Sequence, residues 1–462
     1  MKNFFKKYYI PISILLILLG LVMIFDKALA IGLILLGFLF ALVLFVLFKA
    51  GIKNKHLYSL LLIVLIIHIG VVLFVYHTHF QPFSGGDYKT YHEVAVEISQ
   101  HLRQGDFHLQ GIDYCEPVFY VHHYYSVVIG VIYALTLPEM LVGQLFSVWL
   151  VLLSVLATYL IVIEINGSKK SAFWVGLIVS FYPSYVFYGS LLFKDTLIVP
   201  LSLFGMLFCL KLVKNFSWKN FFIFYILLGF LIHFRFYIGY ALLLVFVSSW
   251  FLLSNLKLKK RFVYGFVIIV LLGFLPQIFV NQGYYGIDSF KEYLNSESID
   301  FYQEKAYSPT SGEDLTPEKK SLGFDSTWNR EATSFKENPF QALWSYSKSF
   351  TYVLLGPFPW QIKFSKQLLI LFETIPWYFL LFFIIKRTIK SIKSRDKIIL
   401  PLVLFSFIVF VVMSIFFNNF GIITRIRIPA FITLLCLLPL EFKRIKFYEK
   451  FINEKSYHKI HN

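Results

Sequence analysis

Runs of about 20 apolar residues recur along this chain, separated by short polar and basic stretches. They fall at roughly 9–25, 28–48, 57–77, 141–163, 172–190, 196–212, 220–234, 237–254, 263–280, 367–385, 398–417 and 424–440. A run of that length crosses a bilayer as a helix, because a helix satisfies every backbone polar group within its own segment. The pattern predicts an all-α polytopic membrane protein with about 12 transmembrane helices, 11 to 13 according to how one segment is read. The first run, Tyr9 to Phe25, follows Lys2, Lys6 and Lys7 as a signal peptide would. No small-residue cleavage site follows it and a second run begins almost at once, so it reads as a helix.

The ambiguous segment is Pro117 to Leu137. As a full span it would put Lys169 and Lys170 outside and invert every later loop. As an outward-facing or re-entrant helix it leaves all the basic clusters inside: Lys211/Lys214/Lys219, Lys257 to Arg261, Lys386 to Lys397 and Lys443 to Lys459. The positive-inside rule selects the second reading. His122, His123, Tyr124 and Tyr125 in one run also suit an interfacial site better than lipid.

Composition narrows the class. The chain is 58% hydrophobic and 20% aromatic over 462 residues, with a mean hydropathy of +0.70, which excludes a soluble domain. The net charge of +17 is carried by the inward loops, so it calls for no nucleic-acid partner. Three cysteines, Cys115, Cys209 and Cys436, make no disulfide framework.

The same pattern divides the chain. Residues 1–56 hold two extra N-terminal spans, and 57–280 form a transmembrane core that includes an outward loop at 78–140. Residues 281–366 make a polar outward cap ending in GPFPW (Gly356 to Trp360), where prolines stop a continuous helix. Residues 367–441 are C-terminal spans and 442–462 a basic cytoplasmic tail. No internal repeat is evident.

Candidate chemistry gathers on the outward side. In FSGGDYKTYHEVAVEI, Gly85 and Gly86 let the backbone turn, and Asp87 follows at a helix N-cap position. Tyr88, Tyr91, Val94, Ala95, Ile98 and His101 then recur at helical spacing, which predicts an amphipathic helix lying on the membrane. Asp87 is either a cap alone, or a general base or metal ligand that takes a proton from an acceptor hydroxyl or amine. Tyr88, Tyr91, His92 and Glu93 on the same helix, and His122 and His123, are candidate substrate contacts.

Lys194 and Asp195 follow YPSYVFYGS, either as an ion pair at a helix start or with Asp195 as a second acid facing Asp87. Arg235 interrupts an apolar region in HFRFYIGY, and Arg425 and Arg427 head the last span in GIITRIRIP. Arginine this close to the membrane core needs an anion, and its fork suits phosphate; snorkelling to headgroups is the alternative. Of the last two, Arg427 lies deeper and has the greater need. The first loop is rich in histidine, yet no metal-ligand spacing appears, so no cofactor is assigned and a divalent metal stays only an option. No P-loop, dinucleotide fingerprint or serine nucleophile elbow is present.

The order of these features resembles the GT-C superfamily of membrane glycosyltransferases, in its dolichyl-phosphate-mannose or lipid-A aminoarabinose transferase branch. The elements that carry the resemblance are the outward loop with its acid, the Pro-led EPVFYVHHYY, the YPSYVFYGS turn, the acid in KDTL and the terminal RIRIP. It covers residues 78 to 255 and, less fully, the last span. Two features depart from the family: extra N-terminal spans, and a single acid in the first loop, which points to a metal-independent, single-base mechanism.

The resemblance implies a polyprenyl-phosphate sugar entering from the outer leaflet, its phosphate on Arg235, Arg425 or Arg427. Asp87 would deprotonate a glycan, lipid or protein acceptor, with inversion at the sugar. It also implies residence in a bacterial cytoplasmic membrane, with the site on the outer side. A polymerase or ligase of lipid-linked polysaccharide, and a lipid-linked oligosaccharide flippase, are the competing expectations.

Overall fold

The computed structural model describes residues 20–80, 87–107, 120–271, 339–361, 368, 370–394, 397–417 and 420–438, with the side chains of 120–123, 269–271, 342 and 361 excepted. Among the described residues there are helices and turns and no strand. In chain order the helices begin with α1 (Lys27–Lys49), α2 (Lys55–Thr78), α3 (Asp87–Arg103), α4 (Tyr120–Leu135), α5 (Met140–Glu164) and α6 (Lys169–Ser180). Then come α7 (Pro183–Tyr188), α8 (Lys194–Lys214), α9 (Trp218–Phe234), α10 (Phe236–Leu253) and α11 (Leu258–Leu271). The last are α12 (Pro339–Leu355), α13 (Leu371–Ser394), α14 (Leu400–Phe416), α15 (Phe420–Ile426) and α16 (Ile428–Leu435).

Among the described residues, six helices are long and apolar enough to cross a membrane: α1, α2, α5, α8, α10 and α14 with the turn before it. The chain is therefore an all-α, multi-pass membrane protein. Two expected spans are broken. The 172–190 run divides because Pro183 has no N–H and disfavours helical geometry in the residue before it, so α6 stops at Ser180. The 424–440 run divides at Arg427, and Pro429 falls in the first turn of α16, where a missing N–H costs nothing. Residues 9–19 of the expected first span, the end of the 263–280 span, Gly85–Gly86, most of the 281–366 cap and the basic tail lie outside the described residues.

The described chain forms two compact units. The first comprises Met1–Gln81, Gly85–Leu153 and Val186–Leu197. Its centre is a cluster of Leu36 from α1, Val72 from α2 and Leu141, Leu145 and Val148 from α5. Gly32 permits that packing, since a Cβ there would lie 2.5 Å from Leu145 Cδ1.

Within this unit α3 and α4 lie side by side. The buried stripe of α3 is Tyr88, Tyr91, Val94, Ala95, Ile98 and Ser99, close to the spacing the sequence predicts. The apolar stripe of this helix packs on α4. Val94 and Ile98 pack with Val127 of α4, and Gly130 of α4 meets Ile98 so closely that a Cβ would fall 2.5 Å from its Cγ2. Arg103, at the end of α3, donates to the carbonyls of Tyr133 (2.7 Å), Ala134 (3.2 Å) and Thr136 (2.8 Å), so a cation caps the negative end of α4. The 16 residues of α4 extend about 24 Å, short of a hydrocarbon core of about 30 Å.

The second unit comprises Pro82–Ser84, Ser154–Tyr185 and Ile198–Asn462. In it α14 packs against α10, α12 and α16, while α16 also touches α6 and α13. Phe431 of α16 stacks on Trp377 of α13 with ring centroids 3.8 Å apart. Between α10 and α11, Arg261 donates to the carbonyls of Phe251, Ser254 and Leu256 and ties off the end of α10.

Candidate active site

In the first unit the predicted residues gather where α3, α4, the start of α5 and the turn before α8 converge. Asp87 is the first helical residue of α3, one position inside the expected cap, and is exposed. A carboxylate is favoured there by the positive end of the helix dipole. The next residue, Tyr88, is buried with its ring edge-on to Phe193 at 6.0 Å. Phe193 also meets Tyr188 at 5.7 Å, and the Thr196 hydroxyl donates to the Tyr188 carbonyl at 3.1 Å, which fixes the turn into α8.

Asp195 sits in the first turn of α8, 4% exposed, and Lys194 beside it is half-buried. Tyr91 meets Tyr125 of α4 edge-on at 5.5 Å. Tyr125 is fully buried beside the Ser147 hydroxyl and within electrostatic reach of Asp195. Gly143 of α5 brings the helices close, since a Cβ there would lie 2.7 Å from Leu192 Cδ1 and 2.9 Å from the Tyr133 hydroxyl.

His92 bonds through Nδ1 to that Tyr133 hydroxyl at 2.9 Å, and burial holds its imidazole below the usual histidine range. Glu93 faces outward. His122 and His123 belong to α4 in backbone, but their side chains lie outside the described residues. Among the described residues no three His, Cys, Asp or Glu side chains gather to hold a metal ion.

In the second unit the arginines differ from one another. Arg235 is half-buried at the break between α9 and α10, its Nη1 donating to the Tyr237 hydroxyl at 2.8 Å. Arg425 is half-buried in α15. Arg427 has no exposed surface. Its Nη2 donates to Glu373 Oε1 at 2.8 Å, and its guanidinium lies over the Phe431 ring at 4.5 Å.

The same Oε1 of Glu373 accepts from the Tyr182 hydroxyl at 2.7 Å, while Oε2 accepts from Ser184 N at 2.9 Å and from the Ser184 hydroxyl. The anion that the sequence demands for Arg427 is thus a glutamate. The sequence reading passed over Glu373, although an acid inside the apolar run LFETIPW is itself a signal that a partner exists.

Residues 124–279 match the dolichyl-phosphate-mannose-protein mannosyltransferase family, a stretch from α4 to beyond α11 that contains Lys194, Asp195 and Arg235. The match supports a GT-C type membrane glycosyltransferase. It covers roughly a third of the chain and does not extend to Asp87, Arg425 or Arg427. No curated protein matches the chain. A GT-C glycosyltransferase of this family is polyprenyl-phosphate-sugar-dependent and works in a bilayer, in keeping with the apolar helices α5, α8 and α10, which the match includes.

Proposed function

We propose that the protein transfers a sugar from a polyprenyl-phosphate donor to an acceptor on the outer face of a bacterial cytoplasmic membrane, with inversion and with Asp87 as the base. The observation that carries the reading is the contact of Tyr88 with Phe193. Each ring stands within two residues of an acid, Asp87 on one side and Asp195 on the other. The exposed acid lies where an incoming acceptor can reach it, and the other is buried beneath the same aromatic contact.

In the reaction the acceptor oxygen attacks the anomeric carbon from the face opposite the phosphate. The bond from that carbon to the phosphate oxygen breaks, and its electron pair leaves with the phosphate. The acceptor proton passes to Asp87. Arginine offsets the charge that develops on the leaving phosphate, with Arg235 and Arg425 as the half-buried candidates. Tyr88, Tyr91, His92, Glu93, His122, His123 and Lys194 are assigned to substrate contacts. The lipid phosphate supplies the activated bond and the scheme uses no metal, so chelation leaves the rate unchanged.

The test is the purified protein in nanodiscs with a polyprenyl-phosphate sugar and a set of membrane acceptors. The expected products are polyprenyl phosphate and a glycosylated acceptor of inverted anomeric configuration. Movement of the intact lipid-linked sugar between leaflets, with no cleavage, would make the protein a transporter instead.

A further inference from the structure

An α-helix ends in carbonyls that find no partner within it. At the end of α12 four successive carbonyls are all taken by side chains of other elements. Trp377 Nε1 donates to the Leu354 carbonyl at 2.9 Å, and the Tyr378 hydroxyl to that of Leu355 at 2.7 Å. Arg427 Nη1 donates to both flanking positions, Val353 at 3.2 Å and Gly356 at 2.5 Å. The charged donor stands at the negative end of the helix dipole. Glu373 neutralises it from behind and is itself held by Tyr182 and Ser184.

We infer that this crown of donors is the anchorage of α12, the helix that closes the long polar segment, and that Arg427 is an anchor residue and not a ligand for the donor phosphate. Both Nη atoms of Arg427 already donate, and the side chain has no exposed surface. A phosphate reaching it would have to displace Glu373 or sit as a second anion beside it, in a setting where unpaired charge is strongly disfavoured. Trp377 and Tyr378 do the same work on the middle two carbonyls, from the next residues on α13. Nothing in this assignment depends on the transfer reaction; only the probe used to exclude phosphate binding is borrowed from it.

The experiment compares R427K, W377F, Y378F and R425K with the parent in nanodiscs. Two quantities are read: hydrogen exchange of the α12 amides by mass spectrometry, and the Kd for polyprenyl phosphate. Lysine keeps a charge for Glu373 but cannot reach two carbonyls as well. R427K, W377F and Y378F are expected to speed α12 exchange by tenfold or more while the Kd stays within threefold of the parent. R425K is expected to leave α12 exchange at the parental rate. Parental exchange in R427K, or a Kd raised more than threefold in that variant, overturns the anchor. If R427K does not fold, parental exchange in both W377F and Y378F overturns it. If the parent does not bind polyprenyl phosphate at all, the donor reading fails while the exchange arm still decides the anchor.

Discussion

Arg427 and Glu373 meet at 2.8 Å with side chains 0% and 1% exposed, so this ion pair is sealed from solvent on every side. Breaking a buried pair by removing one partner strands the other charge and costs about 3–5 kcal/mol, whereas replacing both by apolar groups is often neutral. Glu373→Met is therefore expected to lower the melting temperature sharply. The double variant Glu373→Met/Arg427→Met recovers part of that loss and falls short of the parent, because the carbonyls of Val353 and Gly356 lose their donor. Thermal unfolding in detergent checks it; a double variant no more stable than Glu373→Met would mean the charge pairing is not what the site depends on.

The close approach of α3 to α4 at Gly130 gives a second prediction. A methyl there would lie 2.5 Å from Ile98 Cγ2 and 3.3 Å from the Ala95 carbonyl. Gly130→Ala is expected to destabilise by about 1–3 kcal/mol through overpacking, even though alanine is the better helix former. Adding Ile98→Ala removes the nearer clash and should restore part of the loss. Additivity of the two substitutions in a double-mutant cycle would show that they do not touch.

The long apolar runs were legible because hydropathy alone decides them. The ends of α1, α2, α5, α8 and α10 lie within two residues of the expected spans. The breaks at Pro183 and Arg427 were not, since a window of hydropathy averages over the one residue that interrupts a backbone ladder. The stripe of α3 was readable from its period, but not what covers it: a half-apolar helix fits a membrane surface or another helix equally, and here Val127 and Gly130 of α4 are the cover. Asp87, Asp195 and the three arginines were visible as costly residues in apolar surroundings. Glu373 was just as costly and was missed, because its meaning depends on Tyr182, Ser184 and Arg427, which only the fold brings to it.

His92 makes stability depend on pH. Burial lowers its affinity for a proton in the folded chain, outweighing the opposing charges of Glu139 and Glu93. The unfolded chain then binds that proton more readily, so folding stability rises with pH across this range. The contribution is fully present above about pH 6.5, the ordinary histidine value, and is lost as pH falls from there toward the lower folded value. Melting temperatures between pH 7.5 and 5 should fall less steeply in His92→Gln than in the parent. Equal slopes would assign the acid sensitivity to other groups.

The charge pattern of the loops predicts sidedness. With Cys115 changed to serine, the buried Cys209 and Cys436 leave a quiet background for labelling. A cysteine at the exposed Gln104, after α3, is expected to react with an impermeant thiol reagent from outside intact cells; one at the exposed Lys169 is expected to react only after lysis. Outside labelling of Lys169→Cys would require residues 117–137 to cross the membrane fully and would invert every later loop.

Asp87 and Asp195 differ enough in burial to be told apart. Asp87 is exposed at the positive end of α3, so Asp87→Asn removes a favourable charge but little packing and should lower the melting temperature only slightly. If it is the base, turnover falls by on the order of 10²–10⁴-fold, the usual worth of a positioned proton acceptor. Asp195 is buried, so Asp195→Asn is expected to lower stability and activity together, and that result alone would not give it a chemical role. The acceptor distinguishes the two. A base is needed only while the attacking group holds its proton, so an acceptor analogue whose nucleophile is already ionised at neutral pH should bypass it. With such an analogue the defect of Asp87→Asn is expected to shrink toward parental turnover, and the defect of Asp195→Asn to persist. If Asp87→Asn is equally slow with both acceptors, Asp87 holds the substrate and does not take its proton. If it is slow with neither, Asp87 only favours the start of α3.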